Sequence, residues 1–190
     1  MAVRRHARQG PARPGPSVLA IAFFVAALAL QAVTWWRAAH WYPLLPDPFP
    51  TRFDGAGVPS GWSAKGVAAW FSLPAIGLFM LCLLAAIGAG LSWMALHAPG
   101  LLNVPRKDRF LALPPQSRVA VLGPTRTYLA WTVMLVCGLF LCLVEGTGLV
   151  ATGAMAVLPI WPVVGMIVLV LVGLVPYWRS TVRAMDAAGG

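Results

Sequence analysis

Residues 17–36 read SVLAIAFFVAALALQAVTWW, a run without Lys, Arg, Asp or Glu that closes on Trp35, Trp36 and Arg37. As a helix rising about 1.5 Å per residue, such a run crosses the ~30 Å hydrocarbon layer of a bilayer. Three further runs share the property: 69–93, 127–144 and 155–177. The pattern predicts an all-α integral membrane protein, a four-transmembrane-helix bundle with spans at about 17–36, 69–94, 127–148 and 155–177. Arg4-Arg5 ahead of the first run invites a secretory reading. A signal peptide, however, has an apolar core of only about 7–15 residues and a small-residue cleavage site. The longer run and its Trp-Trp-Arg anchor predict an uncleaved span.

Composition agrees. Apolar residues make up 59% of the 190 and charged residues 10%, with a mean hydropathy of +0.79. Soluble domains carry about 25% charged residues. The nine Trp cluster near the ends of the apolar runs, as aromatic belts do at the boundary between lipid and water. The net charge of +9 would suggest nucleic acid in a soluble chain. Here no groove-reading or base-stacking module accompanies it, so no nucleic-acid partner is expected.

The basic residues are instead sorted by side. Arg4, Arg5, Arg8 and Arg13 precede the first span, and Arg106, Lys107, Arg109, Arg118 and Arg126 fill the second connection. Arg179 and Arg183 follow the last span. The first loop holds only Arg37, Arg52 and Lys65. The positive-inside rule therefore places both termini and the second connection in the cytoplasm, with residues 38–68 outside. On that arrangement the cytoplasmic face meets anionic headgroups of the membrane lipids. Residues 1–16, rich in Arg, Pro and Gly, read as a disordered basic tail, residues 17–178 as one membrane domain, and 179–190 as a second cytoplasmic tail.

Small residues punctuate the spans at Gly77, Ala85, Gly88, Gly90, Gly165 and Gly173, where helix backbones can approach closely. In the second connection, the pattern fits a short interfacial helix from about Lys107 to Leu111 or from Gln116 to Leu122, and it fits an ordinary solvated loop equally well. Cys82, Cys137 and Cys142 all fall inside spans and form neither a disulfide framework nor a zinc pattern.

The most distinctive stretch is the first loop, YPLLPDPFPTRFDGAGVPSGWSAK over residues 42–65. Pro43, Pro46, Pro48 and Pro50 bias it toward an extended, stiff chain. Asp54-Gly55 and Ala56-Gly57 read as a tight turn. So much fixed geometry predicts an ordered cap rather than a linker. Its surface candidates are Phe49, Arg52, Phe53, Asp54, Trp62 and Lys65, which offer apolar anchors and charge for an acidic group.

Leu45-Pro-Asp-Pro-Phe-Pro-Thr-Arg-Phe-Asp54, with Gly57, Gly61-Trp62 and Lys65, resembles a bacterial membrane module of unknown function. That module forms the N-terminal part of the sporulation-delaying-protein immunity family. Its usual run is Leu-Pro-x-x-(Ile/Val)-Pro-x-His-(Phe/Trp)-Asn, followed by Gly and Lys. The segment Asn103-Val-Pro-Arg-Lys-Asp-Arg-Phe-Leu111 resembles a cytoplasmic Asn-x-Pro-x-Lys stretch of some members. The resemblance implies an ordered outer loop on a membrane bundle and a protective, immunity-like role. The chain departs from the pattern at Arg52, where the module has His, and at Asp54, where it has Asn. Arg neither ligates a metal nor titrates near neutral pH.

Glu145 is the one acid near the end of a span. At 19 residues beyond Arg126 it lies about 28 Å along the helix, beside the first loop. An ion pair with Arg52, Arg37 or Lys65 is expected there, with Arg52 in the cap as the chosen partner. His40, Asp47 and Asp54 are the residue types zinc uses, but they are split by prolines and read as turn formers, so no metal is expected. No nucleophile–base pair and no phosphate loop appear, which predicts a non-enzymatic protein without a cofactor. The expected function is binding of a peptide, a lipid or a partner protein by the outer loop. The alternative is an accessory subunit of a membrane transport system.

The charge asymmetry has a direct check. With Cys82, Cys137 and Cys142 replaced, a single cysteine at Ser60 should react with a membrane-impermeant maleimide on intact cells, and one at Ser117 should not. Labelling at Ser117 alone would invert the orientation.

Overall fold

The computed structural model describes residues 17–188. The tail expected at 1–16 lies outside them. Six α-helices and one β-hairpin follow in the order α1 (Val18–Trp41), β1 (Phe49–Phe53), β2 (Pro59–Ser63), α2 (Val67–His97), α3 (Lys107–Ala112), α4 (Pro115–Val121), α5 (Gly123–Ala151) and α6 (Trp161–Ala188). Four helical segments, one each from α1, α2 and α6 and one running from α4 through α5, are long and apolar enough to cross a membrane. The chain is a multi-pass helical bundle, and the two-stranded sheet is a minor addition.

α1 begins where Ser17 supplies a cap, its hydroxyl accepting from the Ala20 amide at 3.1 Å. Its buried positions are Ala20, Ala27, Gln31, Thr34 and Ala38, spaced by three, four and seven residues. That spacing makes a single seam of small and polar side chains, the kind of face along which membrane helices pack. The seam lies chiefly against α5. Ser17 meets Thr127 at 2.8 Å near one end, and Arg37 meets Glu145 near the other, so α1 and α5 run parallel. α2 runs back against both: Trp70 reaches Ala38, Gln31 reaches the Pro74 carbonyl, and Ala27 packs near Leu81. α6 runs antiparallel to α5, with Tyr128 donating to the Val170 carbonyl at 2.9 Å and stacking on Tyr177.

The up-and-down order puts the hairpin and the 152–160 connection at one end, called here the cap end. α3 and α4 sit at the opposite end. Both short helices form, which decides between the helix and loop readings that the sequence leaves open. Their Phe110, Leu113, Val121 and Leu122 are buried with Ala95, Leu102 and Met185 in one cluster, so they plug the bundle rather than lie loose upon it.

Close approaches fall on some of the small residues and not on others. A Cβ at Gly77 would stand 2.9 Å from Gln31 Oε1 and 3.1 Å from the Phe140 ring. At Gly173 it would stand 3.2 Å from both Trp131 Nε1 and Tyr128. Gly90 and Gly165 have open space. Gly148, not singled out in the sequence, allows a tighter fit than either: a Cβ there would lie 2.6–2.8 Å from the Trp41 indole.

The fourth span differs from the expected 155–177. Residues 155–160 are not helical, and α6 starts at Trp161 and continues past Tyr177 to Ala188. Pro159 contributes to the late start by disfavouring the helical state of Leu158, while Pro162 is tolerated in the first helical turn. Hydropathy alone does not register this, because 155–160 is apolar.

Gly148→Ala should force Trp41 off α5 and destabilise the bundle by about 1–3 kcal/mol, the usual cost of overpacking. Gly90→Ala, with nothing in reach, should leave the thermal midpoint in detergent unchanged or raised. Equal midpoints for the two variants would contradict this packing.

Candidate functional site: the cap on the bundle

The cap begins where α1 stops. Pro43 opens a short 3-10 turn, Tyr42–Leu44, and the chain reaches β1 through a cis Asp47–Pro48 peptide. β1 and β2 pair antiparallel, with an irregular register around Arg52, which lies opposite Gly61. Thr51 and Ser63 join their hydroxyls across the strands at 3.0 Å. The turn between them is built by Asp54, whose Oδ1 accepts from the amides of Ala56 and Val58, both at 2.9 Å. Gly57 closes it at φ +79°, a conformation that favours glycine. It also allows contact with the α5–α6 connection, for a Cβ there would overlap the Leu158 carbonyl. The Gly57 carbonyl accepts from the Leu158 amide at 2.8 Å.

Further contacts fasten the hairpin to α2 and to the turn that follows α1. Phe49 is 1% exposed and meets Trp70 edge-to-face at 5.7 Å. Trp70 in turn donates its indole N–H to the Ala38 carbonyl at 2.7 Å. Lys65 donates from Nζ to the carbonyls of Leu45 (2.8 Å) and Pro43 (3.2 Å), and its ammonium lies over the Tyr42 ring. The Lys65 amide donates to Asp47 Oδ1 at 2.9 Å. The prolines therefore do not hold the whole segment as the extended, stiff chain expected from sequence: Pro50 lies in β1, but Pro43 opens a turn. Side-chain and backbone hydrogen bonds fold the segment into a turn and a hairpin.

Beneath the cap, Glu145 of α5 takes a two-pronged grip from Arg37 of α1, through Nε to Oε1 and through Nη2 to Oε2 at 2.8 Å. Trp41 Nε1 adds a third donor to Oε2 at 3.1 Å. The Arg37 guanidinium also lies 5.5 Å from the Trp36 ring and 5.4 Å from the Trp41 ring. A guanidinium fork on a carboxylate is the strong form of this pair, and the indoles add attraction at the ring faces.

The partner of Glu145 is thus Arg37, and the expected Arg52 pairing is not formed. The reason is positional. Arg37 and Trp41 stand one turn apart on a helix that runs parallel to α5, so both reach the same carboxylate. Arg52 is on a strand of the cap, where its side-chain carbons would lie 3.1–3.3 Å from a Cβ at Gly61. A sequence signal existed: Arg37 lies 20 residues past Ser17 and Glu145 lies 18 past Thr127, which is nearly equal depth on two parallel spans, about 3 Å apart.

The other expected surface residues divide. Phe49, Asp54 and Lys65 are structural members of the cap. Phe53 is half-buried and lines a cleft of about 140 Å³ with Phe49, Trp70, Leu73, Thr147 and Leu158. Arg52 is exposed, and Trp62 is 58% exposed. His40 rests against Trp41, while Asp47 and Asp54 serve the hydrogen bonds above, so these three do not converge. Among the described residues no three His, Cys, Asp or Glu side chains come together as metal ligands would.

A family model for a domain of unknown function, DUF1648, matches residues 18–78. That stretch is α1, the whole cap and the start of α2, about a third of the chain. No curated protein and no solved structure matches. The resemblance to a module of unknown function is supported, and no named relative supports the immunity link.

A double-mutant cycle tests the pair at Glu145. Its side chains are 25% and 28% exposed, so water offsets part of the loss. Arg37→Gln and Glu145→Gln should still couple by about 1–3 kcal/mol in thermal or denaturant unfolding. Arg52→Gln and Glu145→Gln should be additive. Additivity for Arg37 and coupling for Arg52 would reverse the assignment.

Proposed function

We propose that this is a non-enzymatic protein of the bacterial cytoplasmic membrane whose cap, residues 42–65, binds a peptide or partner protein on the outer side. In this orientation both termini and α3–α4 are cytoplasmic, as the basic residues favour. One observation carries the reading. Most of the cap is fastened to the bundle by Phe49, Lys65 and Gly57, yet Trp62 is left 58% exposed. A large aromatic side chain on a fixed hairpin is a recognition anchor, because little conformational freedom remains to be lost on docking. Arg52 supports it. It lies opposite Gly61, the neighbour of Trp62, and none of the ion pairs among the described residues includes it. Its guanidinium is free for a carboxylate of the ligand. β2 also offers main-chain groups to an added strand. Protection of an immunity kind is one role that such capture would serve.

The alternative, an accessory subunit of a membrane transport system, draws on the apolar faces of α2 and α6. In the spanning windows only 11% and 0% of these helices are buried within the chain. Such faces fit lipid as well as a neighbouring subunit.

Arg52→Ala with Trp62→Ala should weaken partner capture from mild detergent by about tenfold or more, the usual scale of an interface hot spot. Expression and thermal midpoint should stay near wild type. A stoichiometric membrane partner that remains bound to the double variant would favour the subunit reading. Loss of stability before loss of capture would mean that the two side chains only close the bundle.

A further inference from the structure

The contacts between α1 and α2 lie toward the cap: Trp70 to Ala38, Gln31 to Pro74, and Ala27 near Leu81. Toward the α3–α4 end the two helices leave a groove of about 360 Å³, with α5 as its floor. Its walls are apolar and include Phe24 and Val25 of α1, Leu84 and Gly88 of α2, and Leu129 of α5. From Leu84 to Ser92 it extends about 12 Å along the helix. One charged side chain lines it, Arg126, in the first turn of α5. Ser92 stands in the last turns of α2, at the same end.

Arg126 is placed like a headgroup ligand. Its Nε is buried and has no hydrogen-bond partner among the described residues; Arg118 Nε shares that property, but Arg118 donates through Nη2 to the Leu111 carbonyl and does not line the groove. A buried charged donor without an acceptor is costly, so an anion at this position would stabilise the site. The chain supplies no such anion. Asp47, Asp54 and Glu145 belong to the cap end, and Asp186 is taken by Arg106 and approached by Arg109 at 4.0 Å. Asp108 lines a separate surface dent with Arg106 and Arg109. Residues 1–16 contain no Asp or Glu.

We propose that this groove holds one anionic phospholipid of the leaflet at the α3–α4 end. An acyl chain would lie between α1 and α2, and the phosphate would rest on Arg126. An apolar trough ending in one unsatisfied cation at headgroup level matches the two parts of such a lipid. A larger groove of about 740 Å³ between α1, α5 and α6 has no charged residue in its lining, so nothing there selects a headgroup. The proposal is independent of the cap function, and it holds whichever way the bundle is inserted.

The test is native mass spectrometry of the full chain in mild detergent with equal phosphatidylglycerol and phosphatidylcholine. Wild type should retain one phosphatidylglycerol in preference to phosphatidylcholine by about fivefold or more, the scale of one basic side chain at an anionic surface. Arg126→Gln should abolish the preference and Arg126→Lys should keep most of it. Arg118→Gln, on the same end but outside the groove, should leave it unchanged. Gly88→Leu should fill the trough and remove the retained lipid, while inorganic phosphate alone should not compete. An undiminished preference in Arg126→Gln, or equal loss in Arg118→Gln, overturns the site in favour of diffuse surface attraction. Retention in a folded Gly88→Leu, or competition by inorganic phosphate, overturns the acyl-chain part.

Discussion

A carboxylate near the end of an apolar helix must be neutralised, and the pairing of Glu145 with Arg37 and Trp41 meets this need while setting the position of α1 on α5. The consequences spread through the residues around that pair. Ala38, beside Arg37, accepts the Trp70 indole N–H and so ties α2 to the same turn of α1. Trp41 lies on Gly148, which keeps the end of α1 close to α5. Tyr42 lies under the Lys65 ammonium, the residue that also gathers the carbonyls of Pro43 and Leu45. Residues 37–42 therefore join three helices to the cap.

The cap gains its order from this base and from a second attachment at its tip. Phe49 packs on Trp70, whose own position depends on Ala38. At the far end, Gly57 exchanges a backbone hydrogen bond with Leu158 in the α5–α6 connection. A hairpin of two short strands is marginal by itself. Fixed at both ends, it can present Trp62 and Arg52 in a defined geometry, which is the property the proposed binding role requires. The matched family model, residues 18–78, takes in α1, the cap and the first part of α2 as far as Gly77, which meets Gln31.

The spans and the existence of an ordered cap were legible in the sequence because both depend on local properties. Charge-free runs decide the first, and Asp-Gly, Ala-Gly and the prolines decide much of the second. The short helices at Lys107–Ala112 and Pro115–Val121 are only half legible, because their mixed apolar and basic pattern fits a solvated loop as well. What failed depends on long-range geometry. Depth along α5 alone pairs Glu145 with Arg52 of the nearby cap, whereas the parallel alignment of α1 and α5 decides in favour of Arg37. Phe49 and Lys65 look like surface anchors in a proline-rich loop, and only the fold shows that Trp70 and the backbone carbonyls already occupy them. The start of α6 was lost for another reason: hydropathy counts Met155–Ile160 as span, while Pro159 contributes to delaying the helix to Trp161.

The central claim is that the end of α1 holds the cap in one preformed geometry. Amide hydrogen exchange across residues 42–66 and at Leu158 tests it most directly, in wild type and in Glu145→Gln. Slow exchange is predicted in wild type at Asp54, Gly57, Lys65 and Leu158, whose amides are all hydrogen-bonded. Exchange in the cap should then accelerate when the Arg37 partner is removed. Exchange as fast as that of an unstructured peptide in wild type, or a cap indifferent to Glu145→Gln, would contradict it.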